Sequence, residues 1–130
     1  MKTAVRYYSR SGNTKLLAEA FAQAAEAEAV SVDGEHAALG EGTDLLFIGG
    51  ALYAYGIDKR LQDFIDSIEP GTVGKAVLFS TSWLSRHALE LMRKSLTEKG
   101  VAVAHDEFYV RGRPNAQQLA EAQKFAKKYL

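Results

Sequence analysis

The sequence predicts an α/β fold: a three-layer, doubly wound parallel sheet of five strands in the order 2-1-3-4-5. Short apolar runs alternate along the chain with longer stretches of helical periodicity, the pattern left by βαβ units. Two of the runs, Leu45-Leu46-Phe47-Ile48 and Ala76-Val77-Leu78-Phe79, are apolar at every position, as strands covered on both faces must be. Right-handed crossovers leave few ways to join such units. A reversal after the second strand covers both faces and gives the stated order.

The expected strands are Thr3 to Tyr8, Ala29 to Val32, Leu45 to Ile48, Ala76 to Phe79 and Val101 to Ala104, the last resuming at Phe108-Tyr109-Val110. Between the first two, Leu16, Leu17, Ala20, Phe21 and Ala24 form one apolar stripe at helical spacing. Asp33 to Gly42 carries weak signals, fitting a short helix or a loop. Leu61, Phe64, Ile65 and Ile68 mark a second helix. Leu89, Met92 and Leu96 mark a third, stopped at Gly100, and Leu119, Ala122, Phe125, Ala126 and Tyr129 a fourth. With 130 residues, no repeat and no linker, residues 1–130 are expected to form a single domain.

Composition narrows the function. Sixteen basic residues balance sixteen acidic ones, which gives no electrostatic case for nucleic acid or a membrane surface. The absence of cysteine excludes disulfides, thiolate metal sites, cysteine-held iron–sulfur clusters and thiol catalysis, so electron chemistry would require a borrowed cofactor. No segment approaches the roughly 20 apolar residues of a membrane span. With no signal-peptide pattern at Met1, a cytoplasmic location is expected.

Ligands of doubly wound sheets bind beyond the carboxyl ends of the strands at the point where strand order reverses. Three loops of unusual composition fall there. Ser9-Arg10-Ser11-Gly12-Asn13-Thr14 sets hydroxyls, an amide and free backbone N–H groups at a helix start, suited to one phosphate. The alternative is an ordinary capped helix. The Lys of a nucleotide P-loop and the Gly-x-Gly-x-x-Gly of a dinucleotide site are both missing, which favours a monophosphate. Gly49-Gly50-Ala51-Leu52-Tyr53-Ala54-Tyr55-Gly56 alternates small and aromatic residues, walls for a flat ring or a lid of the core. Ser80-Thr81-Ser82-Trp83-Leu84-Ser85 holds the only tryptophan among hydroxyls, a stacking partner or a core or partner-contact residue.

The pattern Ser9-x-Ser11-Gly12-x-Thr14 after the first strand resembles the FMN-phosphate loop of flavodoxins, and the resemblance extends over essentially the whole chain. It implies a flavodoxin-like fold with FMN as cofactor. It also implies that Ser9, Arg10, Ser11, Gly12, Asn13 and Thr14 hold the phosphate. Ala51, Leu52, Tyr53, Ala54, Tyr55 and Gly56 flank the flavin, with Tyr55-Gly56-Ile57 as the peptide near its N5. Thr81, Ser82, Trp83 and Leu84 would cover the outer face, with Trp83 as the stacking ring.

The resemblance implies a one-electron carrier between a reductase and an acceptor protein, with no catalytic side chain and no metal. A flavin-dependent NAD(P)H:quinone-type reductase and a cofactor-free interaction domain of the same fold are the alternatives. Many flavodoxins are strongly acidic, whereas this chain is neutral, and Arg10, Arg86 and His87 put positive charge near the expected cofactor. That charge is expected to ease flavin reduction. His36 and His105 have no motif around them and no expected role.

Overall fold

The computed structural model describes residues 1–130. Its elements run β1 (Thr3–Tyr7), α1 (Asn13–Ala25), β2 (Ala29–Ser31), β3 (Thr43–Gly49), α2 (Lys59–Asp66), β4 (Val73–Thr81), α3 (His87–Glu98), β5 (Val103–Val110) and α4 (Ala116–Lys127). The five strands form one parallel sheet in the order β2-β1-β3-β4-β5, as expected.

Alternation along the central strands divides the core in two. Leu45 and Phe47 of β3 and Val77 and Phe79 of β4 face Leu17 and Phe21 of α1 and Ala122 and Ala126 of α4. Their neighbours Leu46, Ile48 and Leu78 face Leu61 and Ile65 of α2 and Leu89, Met92 and Leu96 of α3. Phe21 anchors the first half, stacked on Phe47 with ring centres 5.3 Å apart and packed against Phe79 at 4.7 Å. Every one of these side chains except those of the small residues removes apolar surface worth roughly 1.5–3 kcal/mol from water.

Two local expectations are refined. The last strand is one element: between the pairs Ala76↔Val103 and Leu78↔Glu107 the register shifts, so β5 bulges where the sequence pattern breaks. The segment from Asp33 to Gly42 contains turns and no helix. It is tied back by Arg6, whose Nε donates to the Ala37 carbonyl at 2.6 Å. Its short apolar stretch, Ala37-Ala38-Leu39, cannot supply the stripe a packed helix needs.

The end of β3 packs closely on β4. A Cβ on Gly49 would lie 2.6 Å from the Phe79 carbonyl oxygen, so only glycine passes there. The next carbonyl, Gly50, accepts from Ser80 Oγ at 2.6 Å and pins the end of β3 to β4.

Candidate functional site

The loops leaving β1, β3, β4 and β5 enclose a cleft of about 250 Å³. The first loop contributes Arg10, Ser11, Asn13 and Thr14, the second Ala51, Leu52 and Tyr53, and the third Thr81, Ser82, Trp83 and Leu84. Three stretches separated in sequence therefore meet where the strand order reverses. Ser9, Gly12, Ala54, Tyr55 and Gly56 lie off the lining. Ser9 and Gly12 shape the first loop from behind, the Ser9 hydroxyl accepting the Gly12 N–H at 3.0 Å. Ala54 and Tyr55 form the tip of a turn closed by mutual backbone bonds between Tyr53 and Gly56. Tyr55 and Gly56 border a separate groove with Leu91 and Lys94 of α3.

The start of α1 is not an ordinary capped helix. Gly12 occupies the cap position at φ 94° with no side chain to offer, and in the first turn only the Asn13 N–H meets a side chain, the Ser11 hydroxyl at 3.3 Å. The Ser9 and Ser11 hydroxyls are turned to Gly12 and Asn13, within the loop. The first intrahelical bond runs from Leu16 to Gly12, and the N–H groups of Thr14 and Lys15 have no acceptor in the chain. Asp58 caps α2 and an Asn115–Gln118 capping box opens α4, whereas α3, like α1, starts without a side-chain bond from its cap residue. Free N–H groups at the positive end of a helix macrodipole make this loop suited to an anion. Thr14 Oγ1 meets Thr81 Oγ1 at 2.6 Å in the interior, holding the first loop to the third.

The aromatic walls stand on either side. The large apolar residues left exposed are Met1, Tyr55, Trp83, Leu84 and Leu130. Met1 and Leu130 are chain ends; Trp83 and Leu84 line this cleft, whereas Tyr55 stands on the neighbouring groove against α3. Trp83, 66% exposed, rests on Gly112, where any Cβ would overlap the indole ring. Gly112 also lines the cleft, and sequence reasoning did not assign it to the site. The available signal was the strand end Phe108-Tyr109-Val110-Arg111-Gly112, a glycine just beyond the last strand.

Arg10 joins two of the loops. Its Nη2 and Nε donate to Asp58 Oδ2 at 2.6 and 3.1 Å, it donates to the Tyr55 hydroxyl, and its guanidinium lies 3.9 Å from the Tyr53 ring centre. Asp58 is buried, and burial pushes its carboxyl up. The Arg60 N–H and the Arg10 guanidinium outweigh that and leave it below its ordinary value. Asp58 first, then the Tyr55 hydroxyl, raises the Arg10 pKa further, so it remains charged. Burial pushes the Tyr53 phenol up, with Arg10 acting in the opposite sense, which keeps it protonated at neutral pH. The Asp58 contact, 48 residues away in sequence, was not anticipated.

A five-stranded parallel sheet in the order 2-1-3-4-5 with helices on both faces defines the doubly wound α/β class, here with an anion-suited helix start and aromatic residues at its reversal point. The chain belongs to the flavodoxin-domain family, whose family model matches residues 4–128. It is similar in structure to a flavodoxin from the domain Archaea, with 23% identity over 98% of this chain and 95% of that one at a TM-score of 0.84. It is also similar to oxidised Flavodoxin 1 from Bacillus cereus, with 22% identity over 99% and 97% at a TM-score of 0.79. Rubredoxin oxygen:oxidoreductase from Desulfovibrio gigas shares the fold over 97% of this chain but 34% of its own, with 14% identity and a TM-score of 0.80. No curated protein sequence matches the chain. No helix is long and apolar enough to cross a membrane.

Proposed function

We propose that the chain binds FMN in this cleft and carries single electrons between a reductase and an acceptor protein. The observation behind this reading is that the exposed Trp83 and Leu84, with Tyr53, line the same cleft as the start of α1, where the Thr14 and Lys15 N–H groups have no acceptor. Water-exposed aromatic surface beside free N–H donors fits a ligand with a flat apolar ring and a phosphate. The flavin, when bound, supplies the redox chemistry.

The residues have separate tasks. Ser11, Asn13 and Thr14, with the backbone N–H groups of the helix start, would hold the phosphate, while Ser9 and Gly12 shape the loop that presents them. Ala51, Leu52 and Tyr53 would wall one side of the ring, and Thr81, Ser82, Trp83 and Leu84 the other. Arg10, engaged by Asp58 and the tyrosines, fixes the wall and contributes positive charge at the margin. Ala54, Tyr55 and Gly56 form the turn at its edge, so their part is to shape the rim.

A visible absorption spectrum before and after FMN addition tests the proposal. The expected result is a yellow protein with bound-flavin absorption and quenched flavin fluorescence. Failure of the native protein to retain added FMN overturns it. Oxidation of NAD(P)H by the FMN-loaded protein alone would point to the reductase instead of the carrier.

A further inference from the structure

The chain is neutral, but its charge is not evenly placed. The segments from each of the strands β1, β3, β4 and β5 into the first turn of the next helix, residues 8–16, 50–62, 82–90 and 111–119, hold seven of the sixteen Lys and Arg residues and two of the sixteen Asp and Glu. Both acids are engaged: Asp58 is buried against Arg10, and Glu90 pairs with His87 at 2.9 Å. The rest of the chain carries the compensating acidic excess. The β2 loop, which also leaves from this end, carries Asp33, Glu35 and Glu41 and no Lys or Arg, so the basic excess lies on the β4–β5 side, where residues 82–86 and 111–115 hold Arg86, Arg111 and Arg113 and no acid.

The basic residues on the β4 and β5 loops beside the exposed Trp83 and Leu84 are weakly neutralised. Arg86 reaches Glu107 only at 3.9 Å, and that carboxylate is already held by Arg93 at 2.9 Å. Arg111 and Arg113 have no carboxylate within 4.0 Å. They flank Gly112, on which the Trp83 indole rests, and adjacent Cα atoms lie about 3.8 Å apart. Tryptophan and arginine around an apolar centre form the composition of protein-binding hot spots. None of the three arginines lines the cleft or the other sizeable pockets, which suits a broad acidic surface and not a small enclosed anion.

We infer that the face formed by Trp83, Leu84, Arg86, Arg111 and Arg113 docks an acidic protein, whose negatively charged surface surrounds its own redox centre. This rests on the proposed electron-carrier function for the partner's redox character; the docking contact itself needs no flavin. Unneutralised charge of one sign raises encounter rates with an oppositely charged partner, and its effect fades once the Debye length falls to about 10 Å near 0.1 M salt.

The test uses two oxidised forms of one probe protein: lysine-succinylated cytochrome c, which is acidic, and its basic native parent. Binding is followed by the amide spectrum and by the indole N–H resonance of Trp83, the chain's only tryptophan. The acidic form is expected to shift the Trp83 and Gly112 signals, with affinity falling about tenfold as salt rises from about 20 to 200 mM. The native form should leave them unmoved. An Arg111→Gln/Arg113→Gln variant, changed only at exposed positions, should keep a native amide spectrum and lose most of the response. Shifts with the native form instead, shifts confined to other surfaces, silence with both forms, or an unaltered response in the variant would each overturn the inference. A failure of flavin binding would appear separately, as missing flavin absorption, while these resonances still report docking.

Discussion

Replacing Asp58 by asparagine tests the tie between the first two loops. The carboxylate is 4% exposed; its Oδ1 accepts the Arg60 N–H at 2.8 Å as the cap of α2, and its Oδ2 accepts Arg10. Asparagine retains a capping oxygen but presents an amide to a guanidinium. Hydrogen bonds to charged groups are worth roughly 1.5–3 kcal/mol when shielded, and exposed ion pairs at most about 1. Because the Arg10 side chain is 44% exposed, the lower figure applies, and Asp58→Asn should lose about 1 kcal/mol, or roughly 4 °C in Tm. Alanine, which also removes the cap, should lose about 2 kcal/mol.

The pH dependence follows from the depressed carboxyl. A folded pKa below the unfolded reference of 3.8 means that the stabilisation is complete above 3.8 and disappears as pH falls through the lower folded value. The asparagine variant has no such group to titrate. Urea unfolding followed by circular dichroism should therefore show a gap between the wild type and Asp58→Asn at pH 7 that narrows in acid below 3.8. Equal stabilities at pH 7, or a gap undiminished in acid, would refute the assigned role of the charge.

Other contacts give further expectations. Gly49→Ala places a methyl against the Phe79 ring and carbonyl and should cost about 3 kcal/mol in the same urea assay, with reduced soluble yield. Thr14→Val leaves the Thr81 hydroxyl, 2% exposed, without its partner, so a loss of about 1–3 kcal/mol is expected, with FMN affinity reduced more than that for riboflavin, which lacks the phosphate. Gly112→Ala, at φ 74°, strains the backbone by about 1 kcal/mol and displaces the indole. Titration of Trp83 emission with FMN should then report affinity weakened about threefold to tenfold, the worth of one stacked ring.

Much of this was legible because it is local. The apolar runs of β3 and β4, the stripes of α1 to α4 and the stop at Gly100 are written in the periodicity of neighbouring residues, and chain handedness turns them into one strand order. The three site loops were legible for the same reason: each follows a strand and differs in composition from an ordinary turn. Tyr55 was less so, because strand position indicates which loop reaches the site but not which of two tyrosines at a turn faces inward.

The sequence by itself thus determined the sheet, its helices and the candidate anion loop Ser9 to Thr14. Only the tertiary structure decided how that loop is held. Gly12 replaces a side-chain cap, Arg10 is committed to Asp58, Thr14 is bonded to Thr81, and Gly112 carries Trp83. These contacts join residues far apart in sequence, so they depend on strand register and on the angles at which loops leave the sheet, which no local pattern encodes. The same holds for charge: a formal balance of zero says nothing of its placement until the strands are ordered and the neighbouring β4 and β5 loops, which carry Arg86, Arg111 and Arg113, lie side by side.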